Sequence, residues 1–211
     1  DTPASSNANK SLDIFPCQGI IPVTFPWKIP QWLEPTLIIF RGGLHHLAQL
    51  IGFGVIHSTA VEEGFRRVDR RFFVPTSLRN VAHSDQPLRQ GAIHVSAPHI
   101  YGTILEALEL TPNHSFSFLN AGSGTGYLSS MVAVILGPTS LSINVDCHAE
   151  AIAHSKAAVD EWKASMPGDG TKYLPDMQFL LGNVLNMDVN QGECLRGFDR
   201  IYVGAALEKS N

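Results

Sequence analysis

FLNAGSGTGYLSS, residues 118–130, sets a glycine-dense loop between a short apolar run and the opening of a helical pattern. Strand, bare loop, helix is the order in which open α/β sheets receive nucleotides and related ligands beyond the carboxyl ends of their strands. The loop is Gly122, Ser123, Gly124, Thr125 and Gly126. Its glycines let the main chain pass close to a ligand, and the helix that follows offers unpaired N–H groups to an anion. A dinucleotide fingerprint needs GxGxxG, but Tyr127 fills its third glycine position, so the spacing here is GxGxG. A small ligand with a ribose and a carboxylate, such as S-adenosylmethionine (SAM), suits that loop better than a pyrophosphate. Asp146 stands 20 residues beyond Gly126, at the end of the apolar run in INVDCH. A carboxylate at that place can accept hydrogen bonds from both ribose hydroxyls.

Around this loop, short apolar runs alternate with helical patterns. Residues 115–120, 141–145, 178–181 and 200–203 read as strands, and 127–136 and 149–162 as helices. Such alternation predicts βαβ crossovers and a mainly parallel sheet covered on both faces. Upstream, Leu44, Leu47, Leu50 and Ile51, then Val61, Phe65 and Val68, repeat at helical spacing, with Thr59 and Glu62 as a candidate capping box. Residues 99–110 form a third helical pattern with Ile100, Ile104, Leu105 and Leu108 on one side, and 73–92 read as loop. Five prolines between Phe15 and Thr36 forbid long helices, so residues 1–43 are expected to form an extended arm whose aromatic residues suit burial, and 44–211 the domain proper.

Bulk properties narrow the function. A formal net charge of −4 gives no basic excess for a nucleic-acid backbone. Apolar runs such as MVAVIL, residues 131–136, fall well short of a membrane span. Cys17, Cys147 and Cys194 are scattered, which suggests neither a disulfide framework nor a thiolate zinc site. His83, His94 and His99 fit no metal pattern either, so no metal is expected. Arg66, Arg67, Arg70 and Arg71 read as a solvated face paired with Glu62, Glu63 and Asp69. A reducing compartment is expected, the cytoplasm, or an organelle if a leader was removed.

The blocks VDRRFFVP, HVSAPHIY, the GSGTG loop, NVDCH, LLGN and FDRIYVGAA occur in an order and spacing that resemble the protein-L-isoaspartate O-methyltransferases. These are class I SAM-dependent enzymes, and SAPH ahead of a GSGxG loop is their most specific mark. The resemblance implies a Rossmann-like α/β fold with N-terminal helices. It places Ser96 at the reaction centre, Ile93, His94, Val95, Ser96 and the loop along the SAM site, Asp146 on the ribose, and Cys147, Asn183 and Val184 near the adenine. Tyr101 stands where the family has a cofactor-contacting histidine, His99 would line the substrate pocket, and Asp69 and Arg70 fall in its VDR block, which implies a structural tie between the N-terminal helices and the sheet. The acceptor implied is the free carboxylate of an isoaspartyl residue in a damaged protein or peptide. Such a carboxylate is ionised at neutral pH, so the absence of a general base or triad is no objection.

Three features depart from the family pattern. Asn120 replaces an aspartate, the GDG block reads Gly182-Asn183-Val184, and Tyr101 replaces the histidine. Asn120 brings the sequence closer to a divergent, domain-containing branch. These departures leave open an alternative in which a silent methyltransferase fold serves as a subunit or adaptor of a larger assembly. The sequence stops at Asn211, just after FDRIYVGAA, whereas the family continues through a helix and three more strands. The resemblance therefore implies a fragment of a longer protein, or a partner chain covering the arm and an open sheet edge.

Overall fold

The computed structural model describes residues 41–112, 115–187 and 197–204. The arm expected over residues 1–43 lies outside the described residues up to position 40. Helix α1 runs Arg41–Gly52 and α2 Thr59–Arg67, followed by 3-10 turns at Arg70–Phe72 and Thr76–Val81. Strands β1 (Leu88–Gln90) and β2 (Ile93–Val95) form an antiparallel hairpin, and α3 spans Pro98–Ala107. Then come β3 (Ser117–Ala121), α4 (Tyr127–Leu136), β4 (Leu141–Asp146), α5 (Ala149–Ala164), β5 (Asp176–Leu181) and β6 (Arg200–Val203). The last four strands make one parallel sheet in the order β5-β4-β3-β6. The α/β reading with a parallel sheet and N-terminal helices therefore holds.

The sheet's two faces are built differently. Phe118 and Phe179 join α4, α5 and the N-terminal helices in the main core, where Phe73, Met131, Leu136 and Trp162 have almost no exposed surface. Gly64 lets α2 lie against α4, because a Cβ there would already stand 3.4 Å from Ile135. The opposite face carries a smaller cluster of Leu119, Ile143 and Val145, packed with Leu141, Val184, Met187 and Phe198. On that side Leu180, Ile201 and Val203 stay exposed, so the expected cover on both faces is only partial among the described residues.

Several sequence expectations shift. The cap of α2 is Ser58, not Thr59: Ser58 is extended and its Oγ accepts from the Val61 amide at 3.2 Å, while Thr59 is already helical. The presumed loop at 73–92 contains a 3-10 turn and the strand β1, which returns into β2 through Gly91 at φ +59°. In α3 the buried stripe is Pro98, Tyr101, Gly102 and Leu105, and Ile100 points to solvent. Gly102 carries part of that stripe because a Cβ would meet Val55 at 2.9 Å. No helix among the described residues is long and apolar enough to cross a membrane.

Candidate functional site

The glycine loop is held from beneath by β4. The amides of Gly122 and Ser123 both donate to the Val145 carbonyl, at 2.8 and 3.0 Å. Gly122, Gly124 and Gly126 have φ of +79°, +55° and +80°, in the left-handed region that side chains resist. Gly126 is further constrained by crowding, because a Cβ there would stand 3.1 Å from the Phe179 ring. Helix α4 starts at the next residue.

Asp146 ends β4 with only 8% of its surface exposed. Its Oδ2 accepts from the Gly124 amide and its Oδ1 from the His148 amide, both at 2.9 Å. A carboxylate offers about four lone-pair directions, so these bonds leave acceptor capacity for hydroxyl donors. The Gly182 amide donates to the Asp146 carbonyl at 2.9 Å, which brings Asn183 and Val184 to the same end of the sheet. Asn183 caps its own turn by accepting from the Leu185 amide, while Val184 packs on the smaller apolar cluster. Cys147 is exposed beside His148, and the exposed His94 lies next to the loop, its carbonyl 3.7 Å from where a Gly124 Cβ would project.

Two buried polar atoms at this loop have no hydrogen-bond partner among the described residues, Asn120 Oδ1 and Ser123 Oγ. Asn120 is 1% exposed on β3, and its Nδ2 donates to Ser129 Oγ at 2.9 Å. An unpaired acceptor in the interior costs about 1–3 kcal/mol, which a polar ligand can recover.

Ser96 is fixed by different means. Ile93 and Val95 are buried in the hairpin strand that leads to it. Its amide donates to the Tyr101 hydroxyl at 3.0 Å, and its carbonyl accepts from Arg70 at 2.9 Å. Charge spacing puts Arg70 on a solvated face and its place in the VDR block implies a structural tie; it is 3% exposed, against the first reading. Its guanidinium donates to the carbonyls of Ala82, Ser84, Gln86, Val95 and Ser96. Burial lowers its pKa, with the nearby Tyr127, Tyr101 and Asp85 opposing, and an arginine remains charged all the same. Arg66 pairs with Glu62 and Arg67 with Glu63 as expected, whereas Arg71 pairs with an Asp69 that is buried and not on a solvated face. Only the arginine's position after Asp69, at a 3-10 turn facing the hairpin, separates Arg70 from its neighbours, and helical charge spacing cannot reveal that.

Tyr101 is thus occupied in ordering the Ser96 segment. Burial pushes its phenol pKa up, against the Ser96 amide and Arg70, so it stays protonated at neutral pH. His99 lies half-buried on the first turn of α3, bound through Nδ1 to Asp85 at 2.9 Å. The structure therefore gathers the glycine loop, His94, Asp146, Cys147, Asn183 and Val184 at the ends of β3 to β5. Ser96 follows His94 by two residues, and His99 sits apart in the Asp85 cluster.

A parallel sheet with a bare strand-to-helix loop and an acid ending the next strand defines an α/β protein of the class I methyltransferase fold. The chain belongs to the protein-L-isoaspartate(D-aspartate) O-methyltransferase (PCMT) family, whose model matches residues 44–210. Among curated relatives, a protein-L-isoaspartate O-methyltransferase from Methanopyrus kandleri is 33% identical over 144 residues, 65% of this chain and 63% of the relative. The Triticum aestivum enzyme of that name is 28% identical over 83% of this chain and 71% of its own length. The match thus spans less than two thirds of the Methanopyrus protein. A Plasmodium falciparum structure described as a protein-L-isoaspartate O-methyltransferase in complex with S-adenosyl-L-homocysteine superposes with a TM-score of 0.61. It is 22% identical, over 76% of this chain and 72% of that one. A second structure named for the same enzyme gives 0.58, at 19% identity over 76% of this chain and 47% of its own.

Proposed function

We propose that this chain binds SAM at the glycine loop and methylates the side-chain carboxylate of L-isoaspartyl residues in damaged proteins or peptides. The observation that carries the reading is the Asp146 carboxylate, joined to the Gly124 amide at 2.9 Å with acceptor capacity to spare. The residues fit the cofactor in a second respect, since Asn120 Oδ1 and Ser123 Oγ are buried polar atoms in want of a partner. Both curated relatives carry the enzyme's name, and the Plasmodium neighbour holds the demethylated product.

When bound, SAM supplies an electrophilic methyl group. Asp146 would accept from the ribose hydroxyls, and the bare glycines of the loop would let the backbone lie against the ligand. Cys147, Asn183 and Val184 would flank the adenine. Ser96 orients the acceptor carboxylate, with its backbone fixed by Arg70 and Tyr101. No side chain has to remove a proton, because a carboxylic acid with a pKa of about 4 is already ionised at neutral pH. Alignment and exclusion of water then carry the rate.

The test is calorimetric titration with S-adenosylhomocysteine, followed by transfer of radiolabelled methyl from SAM to an isoaspartyl peptide. Asp146→Asn should weaken binding by about 10- to 100-fold, the range for losing hydrogen bonds to a charged acceptor. Unchanged affinity in that variant overturns the assignment of Asp146. Tight binding without methyl transfer would favour the silent subunit over the enzyme.

A further inference from the structure

Asp146, Cys147 and His148 are consecutive, yet their side chains converge. Cys147 Sγ lies 3.3 Å from His148 Nδ1, which lies 3.1 Å from Asp146 Oδ1, and the set fits within 4.8 Å. The turn entering α5 produces this arrangement. Asp146 Oδ1 accepts from the His148 amide, and His148, extended at φ −99° and ψ 114°, is the residue before the helix. The chain is thereby folded so that three different donor types face one point.

We propose that Asp146, Cys147 and His148 form a three-ligand site for a soft divalent cation of the zinc class, and that its occupancy excludes the nucleoside cofactor. Zinc bonds of about 2.3 Å to sulfur and about 2.0–2.1 Å to nitrogen and oxygen give tetrahedral edges of about 3.3–3.6 Å. The sulfur–nitrogen and nitrogen–oxygen separations of 3.3 and 3.1 Å already lie near those edges, and rotation of the exposed Cys147 side chain closes the remaining sulfur–oxygen edge from within 4.8 Å. A thiolate and an imidazole select zinc over magnesium or calcium, which prefer all-oxygen shells. Thiolate and carboxylate together neutralise the ion's two charges, with His148 binding through neutral Nδ1 and keeping its proton on Nε2. The Cys147 thiol proton leaves to solvent on binding. The fourth position stays open to water on the exposed side, where the His148 side chain is 66% accessible.

The exclusion half rests on the cofactor reading above, because the two acceptor directions that the Gly124 and His148 amides leave on Asp146 cannot serve a cation and both ribose hydroxyls together. The site half does not depend on it. Full-length protein is titrated with Zn²⁺ and Co²⁺ by calorimetry and absorption, alongside Cys147→Ser/His148→Ala, whose side chains are exposed and whose fold is checked by circular dichroism. One ion per chain, a thiolate-to-cobalt charge-transfer band, buffer-dependent proton release and a loss of about 100-fold or more in the variant are expected. Displacement of cobalt by S-adenosylhomocysteine completes the proposal. Absence of the band, or equal affinity in the variant, overturns the site and identifies an ordinary hydrogen-bonded turn. Cobalt and S-adenosylhomocysteine bound together overturn the exclusion. If S-adenosylhomocysteine fails to bind at all, the cofactor reading and the exclusion fall, while the cation site is judged on the titration alone.

Discussion

The glycine cradle and the Ser96 segment are the two parts of the proposed site, and they are held in opposite ways. The cradle is local: its shape follows from three glycines in the left-handed region and from β4, whose carbonyl and terminal carboxylate meet the loop amides. The Ser96 segment is held at long range by one guanidinium arriving from 26 residues upstream. A locally built loop survives loss of a distant residue, whereas a clamped segment inherits the fate of its clamp.

The largest effect should come from the clamp. Arg70→Met leaves five carbonyls without their donor, and a loss of about 4 kcal/mol or more in urea unfolding is expected. Methyl transfer should fall further than cofactor affinity does, since Ser96 is released and Asp146 is not. Equal loss of both would erase the distinction between the two regions. Next comes Gly126→Ala, where the left-handed φ and the approach to Phe179 together should cost about 2 kcal/mol. Measured against Phe179→Leu alone, the double variant should recover the part due to the ring and keep the part due to φ and to Ser155 Cβ at 3.3 Å, and full recovery would show that φ hardly matters there. Tyr101→Phe removes one acceptor from the Ser96 amide, worth about 1 kcal/mol, and should speed hydrogen exchange at Ser96 while leaving the loop amides protected.

Acid sensitivity sharpens the same contrast, because the Arg70 neighbourhood is rich in titratable groups. Burial pushes Asp69 up, but the His83 hydrogen bond and the Arg71 amide outweigh it, and its carboxyl sits below its ordinary 3.8. Asp85 is likewise held below 3.8, with the His99 amide and ring overcoming burial. The unfolded chain therefore takes up protons first. The stability these two carboxylates supply is complete above about pH 4 and is lost as pH falls through their lower folded values. His46 works earlier: burial, with Arg70 in support and Asp85 opposed, lowers it below 6.5. Stability should begin to decline as pH drops below that value, and His46→Leu should flatten this first, small slope. A steeper slope in that variant would reverse the sign argued here.

The cradle was legible because its determinants are contiguous and chemically unusual. GSGTG between two apolar runs, with an acid 20 residues on, has few structural meanings, and the strand at 200–203 and helix at 127–136 appear at their expected bounds. Charge spacing misplaces Arg70 for the converse reason, and the VDR block implies for it a structural role without naming its partners. Its acceptors are backbone carbonyls, which have no letter in the sequence, and its neighbours Arg66, Arg67 and Arg71 do form the ion pairs that charge spacing suggests. The short β1–β2 hairpin was hidden in the same way, since three-residue strands carry too little alternation to register.

A chain of aromatic rings runs back from Ser96 through the core. Tyr101 meets Tyr127 edge-on at 5.1 Å, Tyr127 meets Phe73 at 5.3 Å, and Phe73 meets Trp162 at 6.2 Å. The Trp162 indole donates to the Arg67 carbonyl at 2.9 Å. Trp162 is therefore a built-in optical probe. With Trp27 and Trp32 changed to phenylalanine, excitation absorbed by the tyrosines beside Ser96 would be emitted from the far end of the ring chain. A fall in that transferred emission, at unchanged colour, would then report loosening of the tyrosines beside Ser96 without any label.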